Sequence, residues 1–161
     1  MDIRHLKAFV AVFEERNITS AAQRLLQARA TARSICAEMH GGFGALRSAC
    51  GMNMEADLAE VGRVVWRDNA GVRKNVDRLV AMWSELLRQH GGPMLFGDFS
   101  IADAYFAPVC SRLRTYQLPV PAEITAYVDR VHQLPGVHAW TVAALAEKDF
   151  VAMDEPYRAQ R

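Results

Sequence analysis

The sequence predicts an all-α chain of about seven helices packed around one core. Three observations predict it. Apolar residues return at spacings of three and four along most of the 161 residues, which is the period of a helix with one buried face. No stretch alternates apolar and polar in the two-residue period of a half-buried strand. The breaks between the periodic stretches carry helix punctuation: Gly91-Gly92-Pro93, Leu118-Pro119-Val120-Pro121, and a Ser100–Asp103 pair just ahead of the apolar run at 104–107.

Each element follows from its own residues. Residues 2–15 read as a short amphipathic helix with Leu6, Phe9 and Phe13 on one stripe. Residues 17–19 read as a turn, with Ser20 and Gln23 at capping-box spacing and Thr19 as the alternative N-cap. Leu25, Ala28, Ala32, Ile35, Met39, Phe43 and Leu46 form one continuous stripe, so residues 20–49 are expected as one long helix, bent near Gly41-Gly42-Gly44. Gly51-Met52-Asn53 breaks it. Residues 55–67 are expected as a helix with a looser stripe of Leu58, Val61, Val65 and Trp66. Residues 72–90 are strongly periodic through Val76, Leu79, Val80, Trp83, Leu86 and Leu87.

Residues 100–116 form the capped helix, with Pro108 placed to kink it in the third turn. Ser100 and Asp103 can satisfy each other's backbone N–H groups, and the carboxylate meets the positive end of the helix dipole. Phe99 stands where a hydrophobic staple would begin, but its partner position is only Ala104. Pro121 and Pro135 open the next two helices, which run to about Gln133 and Lys148. The last carries Val137, Trp140, Val142, Ala143 and Leu145. The polar tail from Asp154, with Pro156, is expected to be loose.

Composition sets limits on function. Net charge is +1, with residues 1–50 at +3 and the remainder at −2. Neither part has the basic excess of a nucleic-acid surface. Three scattered cysteines, Cys36, Cys50 and Cys110, make neither a Cys-x-x-Cys pair nor a zinc pattern, which points to a reducing, cytoplasmic setting. Residues 1–5 do not read as a signal peptide, and no apolar run reaches membrane length. No metal site is expected: His132 and His138 flank Leu134-Pro135-Gly136 without further ligands at suitable spacing. No phosphate loop, nucleophile elbow or triad order stands out, so no catalytic residue is assigned. Arg112 and Arg114 suit the dipole at a helix C-terminus and are a minor candidate for an anion.

Two resemblances add to this. The run Leu95-Phe96-Gly97-Asp98-Phe99-Ser100-Ile101-Ala102-Asp103-Ala104 resembles the buried capping-box segment in the C-terminal domain of cytosolic glutathione S-transferases. Ala32-Arg33-Ser34-Ile35-Cys36-Ala37-Glu38-Met39-His40 with Gly42-Phe43 resembles the first helix of that domain in bacterial members. Tyr127-Val128-Asp129-Arg130 with Leu134-Pro135-Gly136-Val137 resembles its closing helices. The likeness covers about residues 28–155, and residues 28–161 are assigned to that domain. It implies a helical bundle of that type with an extra N-terminal helix pair. It also implies a homodimer through residues 28–50 and 72–90, and a cleft for a small apolar electrophile lined by Arg33, Cys36, Ala37, His40 and Phe43. The competing reading puts Cys36 and Phe43 in the core and leaves His40 solvated or facing a dimer partner, since a lone helix histidine seldom has a catalytic partner. The buried carboxylate Asp103 is assigned a structural role.

In that family a thioredoxin-like domain precedes the helices and holds glutathione. Residues 1–27 are too few and too unlike strands to form one. Transferase activity is therefore expected to be weak or lost, with no cofactor, and glutathione as co-substrate only if a site for it survives. Residues 1–26 instead resemble the first two helices of LysR-type transcriptional regulators, through Leu6, Phe9, Val12, Glu14, Ile18, Thr19, Ala21, Ala22 and Leu25. Residues 1–27 are read as an incomplete helix-turn-helix fragment, because residues 20–40 contain no Gly, Pro or Asn to turn the chain toward a recognition helix. A DNA-binding regulator fragment and a chimeric fusion without selected function are the alternatives to the transferase-like reading.

Overall fold

A computed structural model describes residues 18–148, 150–152 and 155–160. Among them are seven helices and no strand: α1 Ile18–Gly41, α2 Gly44–Ala49, α3 Ala59–Asp68, α4 Ala70–His90, α5 Ile101–Thr115, α6 Ala122–Gln133 and α7 Pro135–Ala146. Two isolated bridges, Met94 with Gly97 and Phe96 with Asp98, tighten the turn before α5. The helix expected over residues 2–15 lies outside the described residues.

α1 runs without a corner through residues 20–40, as the lack of helix breakers requires. Its start corrects the expected turn at 17–19. Asn17 is outside the described residues, but Ile18, Thr19 and Ser20 are already helical, so neither Thr19 nor Ser20 serves as an N-cap. The end of α1 is a second correction. The helix does not bend and continue to 49; it stops, because Phe43 takes the left-handed conformation (φ 56°, ψ 32°) and α2 starts afresh. α2 has no cap of its own. Asn75 of α4 supplies one: its Oδ1 accepts the Leu46 N–H at 3.1 Å.

The helix expected over 55–67 begins only at Ala59. Asn53 claims the preceding residues, its Oδ1 accepting the N–H groups of Glu55 at 2.9 Å and Ala56 at 2.7 Å. This side-chain turn competes with helix and wins. α3 then packs close to the end of α5: a Cβ on Gly62 would lie 1.7 Å from the Tyr116 carbonyl oxygen, so only glycine fits there. Asn69 caps α4 by accepting the Val72 N–H at 3.1 Å. Gly91 (φ 72°) stops α4, and the Gly92 N–H returns to the Leu87 carbonyl at 2.9 Å.

α5 is the central rod. Ala102, Asp103, Phe106, Ala107, Val109, Cys110, Ser111 and Leu113 are all buried on it, and the helix passes through Pro108 without ending. Around it, Trp83 meets Phe106 and Tyr127 edge-on, with ring centroids 5.3 and 5.1 Å apart, while Phe43 meets Phe106 from the other side. Fully buried Leu46, Val72, Val76, Leu79, Leu95, Ile124 and Val131 complete this core. α7 differs. Its sequence is almost wholly apolar, yet none of its side chains is buried.

The tail is a further correction. Asp154 is outside the described residues, but the residues after it are docked rather than loose. Tyr157 donates its hydroxyl to the Ala49 carbonyl at 2.7 Å, and its ring stands edge-on to Tyr116. Arg158 pairs with Glu155 at 2.6 Å and with Glu55 at 2.9 Å. Glu155 in turn accepts from Asn53 Nδ2 at 2.7 Å. Polar residues gave no sign of burial, but they carry complementary charge for the 53–55 connector.

Candidate functional site

The site is built on the first turn of α5. Asp103 is fully buried there. Ser100 is the N-cap and forms the capping box with it. The carboxylate Oδ2 accepts the Ser100 N–H at 2.7 Å and the Ser100 hydroxyl at 2.8 Å. Oδ1 accepts the Leu95 N–H at 3.1 Å and the Tyr127 hydroxyl at 3.0 Å. A buried carboxylate is costly unless its lone pairs are met, and here four donors meet them. The result holds the 94–100 turn, α5 and α6 in one geometry. Tyr127 accordingly has its hydroxyl pushed well above the ordinary phenol range, first by burial and then by the negative charges it would face if ionised.

That anchoring sets the outward side chains of the same turn. Ile101 and Tyr105 project beside α1 and close a groove of about 750 Å³ with Arg29, Ala32, Arg33, Cys36, Ala37 and His40. Four of the five residues assigned to a cleft from sequence, Arg33, Cys36, Ala37 and His40, therefore line one groove. Phe43 does not join them. It is buried against Phe106, because the left-handed turn at this residue places its ring in the core. Arg29, Ala32, Ile101 and Tyr105 were missed. Arg29 and Ala32 extend the same helical spacing one turn upstream, and Ile101 and Tyr105 are four apart directly after the cap, so both pairs carried a periodic signal.

The groove has an apolar floor of Ala32, Cys36, Ala37, Ile101 and Tyr105, with Arg29, Arg33 and His40 as its polar and cationic residues. Arg33, Ala37 and His40 are exposed and Cys36 is half-buried. Burial, and then the charge of Asp103, raise the Cys36 thiol above its ordinary value, so at neutral pH it is a thiol and a poor nucleophile. Burial also pushes Cys50 up to about 11 and Cys110 higher still. All three cysteines are free. The arrangement suits holding an apolar body with an anionic end; it offers no activated thiolate.

A second, more polar cleft lies between residues 54–57 and the facing sides of α5, α6 and α7, and includes Ser111, Arg114 and His132. Ser111 Oγ lies 3.3 Å from His132 Nε2 and 3.2 Å from the Ala107 carbonyl. His132 Nδ1 faces the Val128 carbonyl at 2.8 Å in place of a carboxylate. With Ser111 only 2% exposed, the pair ties α5 to α6. Arg112 is engaged internally with the carbonyls of Cys50 at 2.9 Å and Pro108 at 3.1 Å, which takes it out of the anion role considered from sequence. Among the described residues no group of three or more His, Cys, Asp or Glu side chains is placed to hold a metal. No described helix is long and apolar enough to cross a membrane.

A central helix whose buried N-terminal carboxylate locks a turn and a neighbouring helix, beside a groove on a long first helix, defines a class of all-α domains. The family model described as "Glutathione S-transferase, C-terminal domain" matches residues 30–143. The chain belongs to that family. No curated protein matches it in a whole-sequence comparison.

Proposed function

We propose that this chain is a cytoplasmic binding protein for small apolar molecules, held in the groove between α1 and the first turn of α5. Transferase turnover with glutathione is weak or absent in these 161 residues. One observation carries the reading: an apolar floor with a cationic side, fixed in place by the Asp103 anchor beneath Ile101 and Tyr105. Such a surface favours burial of an alkyl or aryl group, while Arg29 and Arg33 favour an anionic end. The raised Cys36 thiol supports binding over covalent chemistry. The homodimer implied by the likeness is part of the same proposal, with α1 and α4 meeting their copies.

Titration calorimetry tests it with two probes, glutathione and an S-hexyl conjugate of glutathione. The conjugate is expected to bind and glutathione alone to give no heat. Ala37→Trp fills the groove from an exposed position and is expected to weaken the conjugate at least about tenfold, or about 1.4 kcal/mol. Equal binding of both probes, or turnover of an aryl electrophile with glutathione, would overturn the proposal.

A further inference from the structure

The polar cleft lies toward the C-terminal end of α5 and shares no lining residue with the groove beside α1. It holds about 560 Å³ between the 54–57 connector and the facing sides of α5, α6 and α7. Its walls are fastened. The Thr115 hydroxyl donates to the Asn53 carbonyl at 2.7 Å, and the Thr115 carbonyl accepts the Leu58 N–H at 2.9 Å. One residue of α5 thus pins the connector on both sides of the cleft wall. Below, Ser111 is already engaged with His132 and the Ala107 carbonyl.

The charges around this cleft are not all engaged. Glu55 pairs with Arg158 at 2.9 Å. Two groups of opposite sign stay open. Arg114, exposed on α5, makes no ion pair or side-chain hydrogen bond among the described residues. Asp57 uses only Oδ1, which accepts the Ala59 N–H at 3.0 Å and the Gln117 Nε2–H at 3.1 Å. Its Oδ2 has no donor among the described residues. Arg114 and Asp57 line one cleft, yet no ion pair joins them. Met54, Ala56 and Leu145 add carbon to the same lining. We propose that the cleft binds a compact zwitterion, an α-amino acid with an apolar side chain, its carboxylate on Arg114 and its ammonium on Asp57 Oδ2. The arginine fork matches a carboxylate, and an ammonium donates to a carboxylate oxygen that still has lone pairs open. A ligand with one charge satisfies one end only, so selectivity comes from the pair. A further carboxylate is opposed by Glu55, which sets glutathione apart from this class. Both ends are exposed, so each contact is weak and screened, and the affinity belongs in the millimolar range.

Backbone amide shifts of the isotope-labelled full chain read the site with three probes. L-leucine carries both charges, isocaproate lacks the ammonium, and isoamylamine lacks the carboxylate. Leucine is expected to give saturable shifts at residues 54–57 and 114–117, and each single-charged probe to bind at least about threefold more weakly. Asp57→Asn keeps the Oδ1 acceptor used by Ala59 and Gln117, and is expected to erase the advantage of leucine over isocaproate. Arg114→Gln, at an exposed position, is expected to erase its advantage over isoamylamine. Absence of saturable shifts through the millimolar range would overturn the proposal. So would equal binding of the three probes, shifts confined to the groove beside α1, or variants that keep the parent's preference. If either variant unfolds, the ranking of the three probes on the parent chain decides alone.

Discussion

Asp103 shows how one side chain fixes a site without taking part in it. Its four donors come from the 94–100 turn, from its own helix start and from α6. Asp103→Ala leaves buried donors on Leu95 and Tyr127 without an acceptor, and each such orphan costs about 1–3 kcal/mol. The variant is expected to lose about 3 kcal/mol or more in urea unfolding, with a matching fall in melting temperature of about 6–12 °C. A loss below about 1 kcal/mol would mean that the anchor matters little. The Ser100–Asp103 half of this arrangement was legible in the sequence, because a capping box is a local spacing. Tyr127 and Leu95 were not, because they arrive through the packing of α6 and the preceding turn. Phe43 marks the same boundary. Its helical spacing with Cys36 and His40 pointed to the groove, but the left-handed step at Phe43 itself turned the ring into the core.

Among the elements, α3 and the tail carry sharp expectations. Gly62 faces the Tyr116 carbonyl so closely that Gly62→Ala must push two backbones apart. That is expected to cost at least about 2 kcal/mol in the melting transition. Gly136→Ala serves as the control: nothing lies within 4 Å of its added Cβ, and alanine favours the helix by up to about 1 kcal/mol. The tail should respond to acid. The Arg158 guanidinium, followed by Asn53, holds the Glu155 carboxyl below its ordinary value of 4.5. The folded carboxyl is thus the stronger acid. Its contribution is present above pH 4.5 and is lost as pH falls through the lower, folded value. Hydrogen exchange at residues 49–56 and 155–158 should therefore quicken on acidification before the bundle melts. Glu155→Gln should show quick exchange there already at neutral pH, without the acid dependence. The helices themselves were largely readable, since α4, α5 and α6 follow strict apolar periods. The connector at 53–58 was not, because Asn53 forms a turn that an apolar count does not register.

At the scale of the whole molecule the burial is lopsided. α5 is packed on most of its surface, yet its first two turns keep one face open beside α1 and α7. The groove beside α1, with Ile101 and Tyr105, and a separate hollow beside α7, with Ala104 and Pro108, flank that face. The all-α class and the matched family were legible from the capping segment and the flanking helices, since both are written in local spacing. Which side of α1 would meet α5, and that α7 would stay superficial, depended on angles between helices that no single stretch encodes.

The docking of Tyr157 and Arg158 onto Ala49 and Glu55 joins stretches more than a hundred positions apart. A reporter or purification handle spliced in ahead of Glu155 would sever that closure and loosen the corner where α2 gives way to the 50–58 connector. The same handle placed after Gln160 leaves the closure whole, so the choice of cloning site decides whether the purified material keeps its native shape.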